Sequence, residues 1–316
     1  MNLYSDFSVR APRPTVVALG CFDGVHRGHS AVLQTAKEIA LERNCDAAAL
    51  SFTEPPRNYF FPGSVSLLTL PDHKAARMEA LGLDALWHIP FDWQISRIPA
   101  EEFFYDLLLD HLQAKHIVCG FNYTFGAKAE GTVALLERLC QSNGIGLTVL
   151  PPITVGQTEV SSSAIRTAIT EGRVEDAELS LGHPYSIQAK VIDGQKLARK
   201  LGFPTVNQIF PSPLTVPRYG VYASRVSIEG VPTPFWGISN VGTRPTVNGS
   251  LLCVETHLFD FEGDLYDKEI EVAFLSFLRD EKKFDSLEEL TARVQEDIEK
   301  AKKIIANYKS ILLKQR

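Results

Sequence analysis

The chain has 316 residues, 45% hydrophobic and 22% charged, and 32 basic against 38 acidic side chains give a net charge of −6. That length suits two domains, each closing its own core. The acidic balance excludes a broad basic face for nucleic acid, so an anionic ligand has to be held by local groups.

The N-terminal stretch MNLYSDFSVRAPRP lacks the apolar centre of a signal peptide, and no later stretch is long and apolar enough to cross a bilayer. Cys21, Cys45, Cys119, Cys140 and Cys253 are scattered, with no CxxC pair and no zinc-like spacing. They read as free thiols in a reducing compartment. A cytoplasmic protein with no membrane or nucleic-acid partner is expected; nothing in the sequence fixes an oligomeric state.

Up to about residue 182, apolar runs alternate with helical patterns. TVVALG, DAAALSF, ALWHIPF, KHIVCGF and GLTVLPP read as buried strands. Between them HSAVLQTAKEIALER, LPDHKAARMEALG, PAEEFFYDLLLDHLQ and GTVALLERLCQSNG space their apolar residues by three and four. Pro99 opens one of these helices and Gly144 closes another. This alternation predicts an α/β, Rossmann-like domain with a parallel, doubly wound sheet, whose ligands sit at the carboxyl ends of strands.

The rhythm then changes. YSIQAKVID, GVYASRVSI, FWGISNVG, CVETHLFDF and EIEVAFLSFL are separated by Gly/Pro turns, the mark of an antiparallel barrel or sandwich. A long C-terminal helix follows, with an apolar stripe of Leu287, Leu290, Val294, Ile298, Ala301, Ile305 and Leu312 and a cap at Asp285 or Ser286. The boundary falls near 182–184, giving domains 1–182 and 183–316.

Directly after the first apolar run stands GCFDGVHRGH, residues 20–29. Gly24 and Gly28 let backbone approach a ligand, and the next helix points its positive end at the same place. His26 and His29 can then grip phosphate oxygens and follow charge onto a departing pyrophosphate. No GxxxxGK[ST] or GxGxxG occurs in this half. By itself HxGH leaves two readings open, a phosphate loop or a turn with incidental histidines.

The full string G-x-F-D-G-V-H-x-G-H, including Gly20, Phe22 and Asp23, resembles the adenylyltransferase module of the bacterial bifunctional riboflavin kinase/FAD synthetases. CGFNYTFGAKAEGT, with Asn122, resembles a second segment of that module, and VSSSAIRTAI its serine-rich loop, with Ser162, Ser163 and Arg166. The resemblance implies that these residues bind nucleotide and that FMN attacks the α-phosphorus of ATP directly. Cys21 stands where the family commonly has Asn, and is no nucleophile in such a reaction.

GQKLARKLGFPTVN resembles the kinase module of the same family, matching it at Gly194, Arg199, Gly202, Thr205 and Asn207. Thr205 and Asn207, two apart on an extended segment, point to one side and suit a Mg²⁺–phosphate complex. Ala198 replaces the family's second glycine, which is expected to weaken the grip on ATP. Glu255 stands at the position of the family's base, and Arg244 and Arg279 are candidates for holding anionic groups or the flavin edge.

The resemblance runs from about residue 15 to about residue 300. It implies a six-stranded kinase barrel plus helix, phosphorylation of riboflavin to FMN in the second half, and adenylylation of FMN to FAD in the first. Both steps use ATP and Mg²⁺. The alternatives are one active module with an idle scaffold, or a flavin-binding regulator without turnover, and Glu255 speaks against the regulator. Class I aminoacyl-tRNA synthetases also carry HxGH, but no Lys-Met-Ser-Lys segment occurs here and the net charge is wrong for RNA.

Overall fold

A computed structural model describes residues 1–193, 202–246 and 249–314. The chain forms two compact units, Met1–Ser162 and Ser163–Arg316.

The first unit is built on a six-stranded, wholly parallel sheet: β1 (Asn2–Tyr4), β2 (Thr15–Leu19), β3 (Asp46–Phe52), β4 (Ala85–Ile89), β5 (Ala114–Gly120) and β6 (Gly146–Leu150). Its helices are α1 (Arg27–Arg43), α2 (Pro56–Phe60), α3 (Pro71–Ala80), α4 (Ala100–Glu102) and α5 (Val133–Asn143). Strand order is β1-β4-β3-β2-β5-β6. Strand β2 is buried at every position, as a strand covered on both faces must be. Val17 and Leu19 pack with Trp87, Phe104 and Leu136 on one face. Val16 and Ala18 pack with Leu33, Ala36 and Met78 on the other.

Two features depart from the sequence reading. The three-residue edge strand β1 lies in a segment too short for an apolar pattern to register. The helix expected across PAEEFFYDLLLDHLQ begins as α4 and continues as a π-helix over Phe103–His111, with Leu112 N–H donating to Leu107 O five residues back.

Chain order explains where a ligand can sit. From β2 the chain moves outward through β3 and β4, then returns to place β5 on the other side of β2. Beyond the carboxyl ends of β2 and β5 the two loops diverge and leave a crevice, the topological switch point. Residues 20–29 form one wall and residues 120–124 the other.

The second unit holds α6 (Ser162–Thr170, whose first residue belongs to the first unit), α7 (Val174–Leu181), six strands and α8 (Leu287–Lys314). The strands are β7 (Tyr185–Ile192), β8 (Thr205–Ile209), β9 (Gly220–Ile228), β10 (Phe235–Thr246), β11 (Gly249–Leu258) and β12 (Glu269–Arg279). They close an antiparallel barrel in the order β7-β8-β11-β10-β9-β12. The sequence boundary near 182–184 marks where barrel strands begin; the compact units divide earlier because α7 packs on β12 and β7.

Ser286 Oγ accepts from Glu289 N–H and caps α8. Ile298, Ala301 and Ile305 of the predicted stripe pack on Val221, Ala223 and Ile238 of the barrel. Leu287, expected on that stripe, is exposed, because it lies at the helix start before the stripe reaches the barrel. Leu312 is outside the residues whose side chains are described.

Candidate active sites

In the first unit the loop after β2 is held from below. The buried Asp23 carboxylate accepts from Leu68 N–H at 2.9 Å and Thr69 N–H at 3.2 Å, so it pins the loop to residues 68–69 and lines no part of the crevice. Lys74 is 2% exposed and donates to the carbonyls of Cys21 and Phe52, at the carboxyl ends of β2 and β3. Burial pushes the Lys74 ammonium down to about 8, against the pull of Asp23. Burial, with the Lys74 charge beside it, takes His88 down to about 4.

Three successive features then shape the loop. Phe22, Gly24 and Val25 take left-handed backbone, with φ of 51°, 84° and 41°, conformations that side chains other than glycine's adopt only under strain. His26 caps α1, its Nδ1 accepting from His29 N–H at 3.2 Å. The two imidazoles stack, with centroids 3.5 Å apart and planes 14° from parallel. Gly28 has a further reason to lack a side chain: a Cβ there would lie 3.2 Å from His26 Cε1 and crowd the ring.

The crevice is a cavity of about 460 Å³. It brings together Gly20, Phe22, His26, Gly28, His29, Asn122 and Ser162, distant in sequence. Ser162 Oγ also donates to Asp23 O. Asp23 and Gly24 shape the loop without lining the cavity, and Ser163 and Arg166 lie on α6 in the second unit.

Beside it lies an aromatic cavity of about 350 Å³ that the sequence reading missed. Phe60, Phe91, Phe103 and Phe125 line it, and it shares Phe52, Pro56, Tyr123 and Thr124 with the first. Its sequence signal is PPRNYFFPG, where aromatic residues crowd a Pro/Gly-punctuated loop with no core periodicity to explain them.

In the second unit the barrel opens on a cavity of about 440 Å³, lined by Thr205, Asn207, Arg244, Glu255 and Arg279 among others. The sheet register sets this up: Glu255 on β11 pairs with Asn207 on β8. Arg244 Nη2 donates to Asn207 Oδ1 at 2.8 Å and to Glu255 Oε1 at 2.7 Å, tying the three together. Arg279 Nε donates to Asp297 Oδ2 at 2.8 Å, and its guanidinium lies 5.6 Å from the centre of the Phe284 ring. Both arginines are thus ion-paired inside the cavity rather than on open surface. Thr205 and Asn207 also line a second cavity of about 460 Å³, with Val191, Leu258, Phe261 and Tyr266. Gly202 has a left-handed φ of 87°. Gly194, Ala198 and Arg199 lie outside the described residues.

Sequence comparison agrees with this division. A family model described as FAD synthetase matches residues 8–164, and one described as riboflavin kinase matches residues 181–305. The bifunctional riboflavin kinase/FMN adenylyltransferase of Escherichia coli K12 is 36% identical over 89% of this chain and 90% of its own. The chain belongs to this family. Its Listeria monocytogenes relative is 35% identical over 89% of this chain and 90% of its own. The Bacillus subtilis relative is 33% identical over 93% of each. A solved structure from Streptococcus pneumoniae, described as a macrolide-efflux protein, has a TM-score of 0.85 at 28% identity, covering 93% of this chain and 96% of that one. The bifunctional family thus shares this chain's length as well as its two modules.

Proposed function

We propose that the barrel cavity takes riboflavin and the loop crevice takes ATP with FMN, in a chain that phosphorylates riboflavin to FMN and adenylylates FMN to FAD. The observation that carries this reading is that each unit contains two cavities meeting at shared wall residues. A transferase joining two substrates needs such adjoining sites, because holding both reactants in contact supplies much of the rate.

In the kinase step the ribityl 5′-hydroxyl donates to Glu255 while its oxygen forms the new bond to the γ-phosphorus and ADP leaves. ATP occupies the cavity beyond Thr205 and Asn207, so transfer takes place where the two cavities meet. Arg244 holds the Glu255 carboxylate in line and sets positive charge beside the transferring group, where phosphoryl transfer depends most on position and charge. Among the described residues no cluster of three His, Cys, Asp or Glu side chains could hold a metal. The neutral oxygens of Thr205 and Asn207 fit a Mg²⁺ ion carried on ATP, most of whose ligands are phosphate oxygens and water. Such an ion neutralises charge on the phosphates.

In the adenylyl step an FMN phosphate oxygen bonds to the α-phosphorus of ATP and the bond to the bridging oxygen breaks, releasing pyrophosphate. His26, His29 and the amino end of α1 stabilise charge on the departing group. The aromatic cavity receives the FMN ring, since stacked and edge-on aromatic contacts suit a flat heterocycle. An enzyme family matches each half, and an idle module finds no support.

All five cysteines are free, which supports a reducing, cytoplasmic setting. No helix among the described residues is long and apolar enough to cross a membrane. The deciding experiment is a chromatographic time course of riboflavin with MgATP. FMN is expected first and FAD second; a protein that binds flavin and makes neither would overturn the reading.

A further inference from the structure

Three residues form one row on the wall of the barrel cavity. Glu255 on β11 pairs with Asn207 on β8 at one side and with Asn240 on β10 at the other. All three line the cavity, so a carboxylate stands between two carboxamides. The kinase step uses Asn207 and Glu255 and gives Asn240 no task.

The two carboxamides are turned opposite ways. Arg244 Nη2, a donor only, lies 2.8 Å from the Asn207 oxygen, so the Asn207 NH₂ is the end left to meet a ligand. Asn207 also lines the neighbouring cavity, where the phosphate oxygens of ATP call for donors. Asn240 Nδ2 donates to Glu281 Oε1 at 3.0 Å. A carboxylate accepts only, so at Asn240 the oxygen is the end left to meet a ligand. Of the two cavities, Asn240 lines the barrel cavity only. The seat of Glu281 is built into β10: a Cβ on Gly242 would collide with Glu281 Oε1, so glycine there leaves room for the carboxylate against the strand.

Riboflavin supplies what this acceptor needs. Its ribityl chain carries secondary hydroxyls next to the 5′-hydroxyl that Glu255 receives. Side chains opposed across an antiparallel ladder have Cβ atoms about 4.5–5.5 Å apart. Glu255 and Asn240 can therefore receive neighbouring hydroxyls of one chain. A hydroxyl donates to the Asn240 oxygen, where a phosphate oxygen finds no donor. The row thus has a direction, from hydroxyl acceptor through base to phosphate donor.

We propose that Asn240 Oδ1 accepts the 4′-hydroxyl of riboflavin, and that Glu281 is the positioning residue that keeps the carboxamide turned that way. Asn240 is then a specificity-determining residue of the kinase step. This rests on the barrel cavity being the riboflavin site.

The test compares kcat/KM for riboflavin and 4′-deoxyriboflavin as kinase substrates of the full chain. One neutral hydrogen bond predicts a preference for riboflavin of roughly three- to tenfold. In Asn240→Ala riboflavin falls toward the deoxy compound and the preference disappears. Glu281→Ala lets the carboxamide turn and shrinks the preference. Glu281→Gln keeps it, because the glutamine oxygen still accepts from Asn240 Nδ2; a merely structural role for Glu281 would lower both flavins alike. Equal kcat/KM for the two flavins in the wild-type chain, or an undiminished preference in Asn240→Ala, would overturn the proposal while leaving the riboflavin site standing. An undiminished preference in Glu281→Ala would overturn the part assigned to Glu281. Phosphorylation of neither flavin would overturn the site assignment itself. The wild-type comparison and the variants at Glu281, an exposed position, decide the question even if Asn240→Ala fails to fold.

Discussion

His26 and His29 lie ring on ring, 3.5 Å between centroids, while His26 Nδ1 accepts the His29 backbone N–H. That acceptor role places the proton of a neutral His26 ring on Nε2. His26 therefore does two things: it caps α1, and it presents an imidazole to the crevice. Asparagine at the same position still caps a helix but offers no ring. We expect His26→Asn to unfold like the wild type and to lose roughly a hundredfold or more in the FMN-to-FAD rate, the scale of a lost transition-state donor. His29→Ala should lose as much. Both should make FMN from riboflavin at the wild-type rate, and steady-state assays of the two steps check this. Loss of kinase turnover in a folded histidine variant would contradict separate sites.

Lys74 connects the loop to the sheet at the expense of stability near neutral pH. Burial lowers its pKa from 10.5 to about 8 in the folded chain. Between those values the unfolded chain binds more protons at this side chain, so its contribution to stability rises with pH. It is fully present above 10.5 and is lost as pH falls to about 8. Over that window the change amounts to as much as about 3 kcal/mol. Lys74→Met removes the titration and also leaves the Cys21 and Phe52 carbonyls without this donor. Urea unfolding of both proteins at pH 7.5 and pH 10 should show the wild type gaining stability relative to the variant on going to the higher pH. A constant difference would show that the buried ammonium does not titrate there.

Arg244 binds Asn207 and Glu255 through one nitrogen. A residue touching both groups acts with them as a unit, and effects within a unit do not add. Arg244→Gln and Glu255→Gln are each expected to cut kinase kcat by roughly a hundredfold or more, an amount in keeping with arginines that stabilise phosphoryl transfer. The double variant should be scarcely worse than either single one. FAD formation from added FMN should stay unchanged in all three. Additive losses would mean that Arg244 acts apart from Glu255.

What could be read from the sequence follows from periodicity and from local motifs. The strands β2 to β6 are short apolar runs broken by helical patterns, and five of the barrel strands are runs bounded by Gly and Pro. Two barrel cavity residues, Thr205 and Asn207, were legible because their alternation on one strand fixes a common side. At Asp23 the motif says which residues recur together and not how each is held; its carboxylate accepts from the Leu68 and Thr69 N–H groups. Asp297 was invisible for another reason. Within DSLEELTARVQEDIEK it is one acid among several, and only the docking of α8 on the barrel buries it. The aromatic cavity arises from segments 52–60, 91–103 and 123–129, of which only PPRNYFFPG carries a local signal; the fold brings the other two to it.

The start of an independent kinase fragment can be argued from α7. Its Val174, Ala177 and Leu181 are buried, and the helix packs on β12 and β7. Glu178 accepts from Tyr308 Oη at 2.6 Å, tying α7 to α8. Just before α7, Ile169 O accepts from Arg218 N–H. We propose 183–316 as the segment that carries all the kinase chemistry, and 163–316 as the segment that folds well. Removing 163–182 uncovers the β12 face and deletes the buried side chains of Ile165, Ile169, Val174 and Leu181, each worth about 1.5–3 kcal/mol, together with the Tyr308 partner. Against a total of about 5–15 kcal/mol for a typical domain, that loss is large. Fragment 163–316 should melt cooperatively and phosphorylate riboflavin with a KM near that of the full chain. Fragment 183–316 should melt much lower and keep kinase activity only at low temperature, because the cavity residues are intact but the barrel that positions them is weakened. Tyr308→Phe in the longer fragment should lower stability by about 1 kcal/mol, the size of one hydrogen bond, and leave kcat unchanged. Equal melting of the two fragments would show that α7 adds nothing to the barrel.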